Sequence, residues 1–127
     1  MLKGIHHIAI ICSDIERSRH FYIELLGFRI VAEVYREDRQ SWKIDLQLNG
    51  LYCIELFSFP EAPPRISRPE AAGLRHLAFS VENLEAWVAE LQAKGIECEP
   101  IRIDPYTGAQ FTFCADPDGL PLEFYEV

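Results

Sequence analysis

The fold of this chain is decided by a stretch that occurs twice, first as Gly4-Ile5-His6-His7-Ile8-Ala9-Ile10 and again as Gly73-Leu74-Arg75-His76-Leu77-Ala78-Phe79. The match continues beyond each stretch, where Asp14-Ile15-Glu16 corresponds to Asn83-Leu84-Glu85. Self-similarity at a fixed separation indicates that one structural unit has been repeated. The chain has room for two copies and not for a long solenoid.

Both copies predict the same order of elements, βαβββ. The repeated stretches are short, branched and apolar, as strands are. Asp14 and Asn83 are typical N-cap residues, and each precedes apolar residues at helical spacing. Asn49-Gly50 and Asp118-Gly119 predict tight turns between the last two strands of each copy. The predicted strands are His7–Cys12, Phe28–Tyr35, Ser41–Leu48 and Leu51–Phe57 in the first copy, and His76–Val81, Glu97–Ile103, Ala109–Cys114 and Leu120–Tyr125 in the second.

These elements predict an α+β fold in a single domain covering residues 1–127. We expect residues 1–59 to form the first βαβββ module and residues 73–127 the second. Residues 60–72 contain several prolines, which interrupt helices and central strands, and therefore predict a linker. We expect the two modules to form a curved mixed sheet.

Composition limits the classes of function. The 127 residues include 20 Asp and Glu against 12 Lys and Arg, a net charge of −8 that disfavours nucleic acid as a partner. No apolar run is long enough for a membrane-spanning helix, and the N-terminus lacks a secretory signal, so we expect no membrane contact and a cytoplasmic location. The four cysteines lack the spacing of a metal or redox motif and are predicted to be small, partly buried apolar residues.

Each copy carries one histidine and one glutamate at corresponding positions. Residues two apart in a strand share a face, so His7 and His76 each lie beside an alanine that leaves room for the imidazole. Glu55 and Glu123 each alternate with apolar residues, and a carboxylate buried in this way needs compensation. A divalent cation would supply that compensation, and two imidazoles with two carboxylates would leave coordination positions open for a substrate.

The alternative for any one of these residues is an ordinary strand position with no ligand. The duplication favours the metal site, and the sequence therefore predicts His7, Glu55, His76 and Glu123 as ligands. His6 and His20 have no histidine counterpart in the second copy and are interpreted as surface or packing residues.

The sequence resembles the vicinal oxygen chelate superfamily, which includes glyoxalase I, fosfomycin resistance proteins, extradiol dioxygenases and methylmalonyl-CoA epimerase. The resemblance covers essentially the whole chain. It is carried by His7-Ile8-Ala9-Ile10, Cys53-Ile54-Glu55-Leu56, Arg75-His76-Leu77-Ala78-Phe79 and Asp116-Pro117-Asp118-Gly119-Leu120-Pro121-Leu122-Glu123. Tyr35-Arg36-Glu37 and Asp104-Pro105-Tyr106-Thr107 look like the corresponding segments of small bacterial YaeR-type glyoxalase-like proteins.

The resemblance implies a glyoxalase/bleomycin resistance/dioxygenase fold around a metal site. His7, Glu55, His76 and Glu123 match the four metal ligands of glyoxalase I, which implies one divalent ion per site. Ni²⁺ or Zn²⁺ is favoured, with Co²⁺, Mn²⁺ and Fe²⁺ as alternatives. The resemblance also implies a homodimer in which strands from both subunits hold the metal.

The implied activity is that of a lactoylglutathione lyase-like lyase or isomerase acting on a small substrate with vicinal oxygens. In such an enzyme the metal acts as a Lewis acid, and a carboxylate, Glu123 or alternatively Glu55, moves the proton. The Arg and Asn that contact glutathione in glyoxalases are replaced here by Ile11 and Phe59. The thiol is therefore not specified.

Residues on or beside the predicted strands are candidates for substrate contacts. An arginine there would suit an anionic substrate, and aromatic residues would favour an apolar portion. The candidates are Arg36, Trp42, Phe57, Arg102 and Tyr106. Two other functions remain open: a non-catalytic small-molecule binding or resistance protein of the same fold, and a non-haem iron dioxygenase, which the four-ligand count disfavours.

Overall fold

The computed structural model describes all residues, Met1–Val127. The chain divides into two compact units, Met1–Pro64 and Arg65–Val127. The first unit contains β1 (Ile8–Cys12), α1 (Ile15–Arg19) continuing as a π-helical segment (His20–Leu25), β2 (Arg29–Arg36), a 3-10 turn (Glu37–Arg39), β3 (Ser41–Leu48) and β4 (Leu51–Ser58). The second contains β5 (Leu77–Val81), α2 (Leu84–Ala93), β6 (Arg102–Ile103), β7 (Gln110–Ala115) and β8 (Pro121–Glu126).

Each unit forms one four-stranded mixed sheet rather than a closed barrel. The strand order is β1-β4-β3-β2 in the first sheet and β5-β8-β7-β6 in the second. In both sheets the first strand runs parallel to the last, and the other neighbours are antiparallel. The predicted α+β class and the repeated βαβββ order are confirmed.

One predicted strand is much shorter in the structure. The prediction covered Glu97–Ile103, but regular pairing is limited to Arg102–Ile103. The backbone N–H of Glu99 still donates to the carbonyl of Phe113 at 2.9 Å. Pro100 follows, and regular pairing resumes only at Arg102.

The first helix also departs from the regular spacing that the sequence predicted. From His20 to Leu25 it widens into a π-helix, and the N–H of Leu26 donates to the carbonyl of Phe21. A wider turn rotates successive side chains by a smaller angle. The adjacent Phe21 and Tyr22 are both buried as a result.

Local side-chain chemistry sets the ends of these elements. The Asp14 carboxylate accepts hydrogen bonds from two backbone N–H groups of α1, and the Asn83 side chain accepts one from Ala86 in α2. Both predicted N-caps are therefore present. Asn49 and Gly50 both have positive φ, 51° and 79°, as a two-residue turn between twisted strands requires.

Alternation gives each sheet one buried face and one open face. On the buried face of the first sheet, Ile44, Leu46, Ile54 and Leu56 have at most 1% of their surface exposed. The residues between them, which include the candidate ligands, lie on the open face. No helix is long and apolar enough to span a membrane.

Candidate metal-binding site

The first unit places His7 and Glu55 together. Glu55 lies on β4 in register with Ala9 of β1, so a methyl group is its neighbour and the space beside it is open. His7 directly precedes β1, and its Nε2 is 3.8 Å from Oε2 of Glu55. The Glu55 side chain is 14% exposed and that of His7 is 35% exposed.

The second unit repeats this arrangement. Glu123 of β8 is in register with Ala78 of β5, and Nε2 of His76 lies 3.0 Å from Oε2 of Glu123. The exposed fractions, 15% for Glu123 and 33% for His76, nearly equal those of the first pair. The two units therefore present the same nitrogen and oxygen donors with nearly the same exposure.

The donor chemistry of each pair fits a divalent transition metal. Two donors held about 2.1 Å from one ion at right angles lie about 3.0 Å apart, which is the separation in the His76–Glu123 pair. The His7–Glu55 pair is wider, at 3.8 Å. No group of three or more His, Cys, Asp or Glu side chains that could hold a metal ion occurs in the chain. Each pair therefore offers two ligands by itself.

Polar side chains surround the carboxylate of the first pair. Tyr52 donates its hydroxyl to Oε2 of Glu55 at 2.8 Å, and Nζ of Lys43 lies 3.4 Å from the same oxygen. Nζ of Lys43 also lies 2.8 Å from Oδ1 of Asp45. Asp45 is the residue of β3 that lies directly across from Glu55. The hydrogen bond to Asp45 raises the pKa of Lys43, and burial together with the Glu55 hydrogen bond raises the pKa of Tyr52. Both groups remain protonated donors at neutral pH.

The carboxylate of the second pair has a different neighbourhood. The residue across from Glu123 on β7 is Phe113, where the first unit has Asp45. The ring of Phe113 meets the His76 imidazole edge to face, with centroids 5.1 Å apart. His76 is the single side-chain polar partner of Glu123. The two carboxylates are therefore held differently, because Glu55 has three polar side-chain neighbours and Glu123 has one.

The interpretation of His6 as a surface or packing residue missed a contact with the first pair. Its Nδ1 lies 2.8 Å from Nδ1 of His7, and its ring meets that of Tyr52. A hydrogen bond at Nδ1 orients the imidazole and leaves Nε2 directed at Glu55. The sequence signal was weak, because Arg75 occupies the corresponding position in the second copy.

The five candidate substrate residues lie in different parts of the structure. Phe57 lies two residues after Glu55 on the same face of β4, and the Arg36 guanidinium stacks 4.7 Å from its ring centroid. Trp42 lies on the opposite face of β3 with Ile44, next to Arg19 of α1. Tyr106 is 95% exposed in a loop. The structure thus brings Arg36 and Phe57 to the open face beside Glu55 and places Trp42 on the face that packs toward α1.

Arg102 borders a cavity of about 700 Å³ in the second unit, and His76 and Glu123 also line this cavity. Cys98 and Cys114 form part of its wall. Burial raises the pKa of Cys98 and raises that of Cys114 to about 12. Both thiols are therefore protonated at neutral pH and are poor metal ligands or nucleophiles.

We expect Lys43→Met to lower the free energy of unfolding by roughly 0.5–1 kcal/mol, because Asp45 and Glu55 then face each other as unscreened like charges. Urea unfolding measures the change. Asp45→Asn in the Lys43→Met background should restore most of the loss. Lys3→Met, at an exposed position outside the sheet, is the matched control. Equal losses for Lys43→Met with and without Asp45→Asn would contradict this explanation.

Known proteins match this chain over almost its whole length. The model of the Glyoxalase/Bleomycin resistance protein/Dioxygenase superfamily matches residues 4–124. This chain belongs to that superfamily.

Two similar relatives are uncharacterized proteins. YwkD of Bacillus subtilis strain 168 is 65% identical over 99% of this chain and 98% of its own length. YaeR of Escherichia coli K12 is 62% identical over 98% of this chain and 97% of its own length. The crystal structure of a glyoxalase family protein from Enterococcus faecalis superimposes with a TM-score of 0.93 at 48% identity, over 98% of each chain.

More distant members of the superfamily are named enzymes. They include the glutathione transferase FosA of Serratia marcescens, 29% identical, and a 2-epi-5-epi-valiolone epimerase of Actinomyces, 25% identical. FosA is matched over 98% of this chain and 82% of its own length, and the epimerase over 94% and 77%. Superfamily membership thus includes several different reactions.

Proposed function

We propose that this protein is a metal-dependent lyase or isomerase of the glyoxalase I type that acts on a small molecule with two adjacent oxygens. The observation that carries the proposal is the duplicated His–Glu pair on the open face of each sheet. A carboxylate and an imidazole repeated at the same places in both units favour a chemical purpose over a packing one.

The proposed ligands of one divalent cation are His7, Glu55, His76 and Glu123. Two imidazoles and two carboxylates suit Ni²⁺ or Zn²⁺ and leave coordination positions for substrate oxygens. We further propose that the chain works as a homodimer in the cytoplasm.

A divalent ion bound by these residues supplies Lewis acidity toward the substrate oxygens. Glu123 is proposed as the group that moves the proton, because it has one polar partner and lies against the Phe113 ring. Glu55 is proposed as the constant ligand, because the Tyr52 hydroxyl and the Lys43 ammonium group hold it in place. Arg36, Phe57 and Arg102 are the proposed substrate contacts.

Proton abstraction next to a carbonyl can be tested without knowledge of the product. Protein loaded with Ni²⁺ or Zn²⁺ is incubated in D₂O with hemithioacetals of methylglyoxal and several thiols, and ¹H NMR follows loss of the C–H signal. We expect exchange or turnover with at least one thiol, and a loss of at least about 100-fold in Glu123→Gln, since general bases contribute about that much.

The alternative functions have distinct outcomes in the same set of measurements. Hemithioacetal binding without exchange by any metal-loaded form would indicate a small-molecule binding protein and would overturn the lyase proposal. Oxygen uptake with catechols by the Fe²⁺-loaded protein would indicate a dioxygenase. A retained exchange rate in Glu123→Gln would remove this residue from its proposed role.

A further inference from the structure

The cavity of the second unit is bordered by an arginine that stacks on two aromatic rings. The Arg102 guanidinium carbon lies 4.8 Å from the ring centroid of Phe111 and 5.7 Å from that of Phe113. Stacking on two aromatic faces limits the rotation of the planar guanidinium. One amino group, Nη2, donates to Glu99 at 3.0 Å. Its Nη1 and Nε donors are left available to a ligand.

The position of Arg102 relates it to the His76–Glu123 pair. Phe113 is a neighbour of both groups: its ring centroid lies 5.7 Å from the guanidinium carbon and 5.1 Å from the His76 ring centroid. Arg102, His76 and Glu123 all line the same cavity, whose volume of about 700 Å³ is suitable for a small ligand. A molecule long enough to extend across the Phe113 ring can therefore contact both the His76–Glu123 pair and Arg102.

Two other arginines border this cavity, but their surroundings differ. Arg75 resembles Arg102 in exposure, 57% against 55%, and each pairs with one glutamate, but no aromatic ring supports Arg75. Arg68 likewise has no aromatic partner. Arg102 is distinguished by its two aromatic neighbours, which orient its remaining donors toward an anionic group.

We propose that the substrate carries an anionic group, a carboxylate or a phosphate, which Arg102 binds while the two adjacent oxygens lie at the His76–Glu123 end of the cavity. This inference rests on the proposed function and adds the substrate class to it. An apolar linker of two or three carbons between the two ends would cover Phe113.

Hydroxamates test the inference, because they present two adjacent oxygens to a metal and accept different tails. Protein loaded with Co²⁺ is titrated with butyrohydroxamate, with succinomonohydroxamate and with the corresponding phosphonate-tailed hydroxamate, and the cobalt absorption spectrum reports binding. We expect at least one anionic hydroxamate to bind about five- to tenfold more tightly than the neutral one, as for a charge-assisted hydrogen bond at a half-exposed site. The stronger of the two identifies the anion as carboxylate or phosphate-like.

Arg102→Gln should abolish this preference while leaving butyrohydroxamate affinity within about twofold of the wild type. Arg75→Gln removes the same charge from the same cavity and should retain the preference. Equal affinities for all three ligands in the wild type, or equal losses in Arg75→Gln and Arg102→Gln, would overturn the inference and leave the metal site standing. A protein that binds no Co²⁺ would overturn the proposed function, and this inference with it.

Discussion

Replacing His76 or Glu123 by alanine is expected to lower the affinity of this protein for Ni²⁺ or Zn²⁺ by at least about 100-fold, because loss of an outer-shell partner alone costs 10- to 100-fold. His7→Ala and Glu55→Ala should have equal effects, since all four side chains are proposed to serve one ion. Competition against a chelator of known affinity measures the constants, and elemental analysis of the purified protein measures the metal content. The wild type should contain one ion for each set of four ligands.

His20→Ala is the matched control for this series. His20 is exposed and has no histidine counterpart in the second copy, so its loss should leave metal affinity unchanged. Thermal unfolding of each metal-free variant separates loss of a ligand from loss of the fold. Two independent ions per chain, with His7→Ala affecting one and His76→Ala the other, would show that the pairs are separate sites and would contradict the four-ligand proposal.

The second large effect is expected in the core of the first sheet. Leu56→Ala should lower the free energy of unfolding by about 2–5 kcal/mol, as is typical for a leucine truncated at a fully buried site. Leu56 is 0% exposed, and its neighbours in register are Ile10 on β1 and Ile44 on β3. Its removal leaves a cavity directly behind Glu55. Urea unfolding, with the slope compared between variants, gives the change.

Leu51→Ala at the start of the same strand provides the comparison. Leu51 is 73% exposed, and its truncation should change the stability by less than about 0.5 kcal/mol. Similar losses for Leu51→Ala and Leu56→Ala would mean that the two faces of β4 do not differ in burial as the structure shows. A loss of metal affinity in Leu56→Ala beyond its fraction unfolded would indicate that this packing also positions Glu55.

Much of the fold could be predicted because its signals are local. The N-caps at Asp14 and Asn83, and the turn at Asn49-Gly50, depend on residues close to one another in the chain, and all three are present. The predictions failed where a local pattern competed with packing or chain chemistry. The π-helical turn at His20–Leu25 accompanies the burial of two adjacent aromatic residues. The strand predicted at Glu97–Ile103 is regular only at Arg102–Ile103.

The candidate site was likewise predictable only where its signals are local. Alternation along a strand is a property of one segment, so the sequence could assign Glu55 and Glu123 to faces with apolar residues on either side. The surroundings of each carboxylate depend on which strand lies beside it and in which register. Asp45 and Phe113 occupy corresponding places across from the two glutamates, and the register of each hairpin decides which residue lies there.

By itself, the sequence determined that this chain contains two copies of one βαβββ unit and that each copy carries a histidine and a glutamate at matching positions. Repetition and alternation are visible in a linear string of residues. Only the tertiary structure decided that Lys43 and Tyr52 restrain one glutamate, that an aromatic ring faces the other, and that Arg102 stacks beside His76. Those contacts depend on strand register and side-chain conformation, which are set when the whole sheet packs.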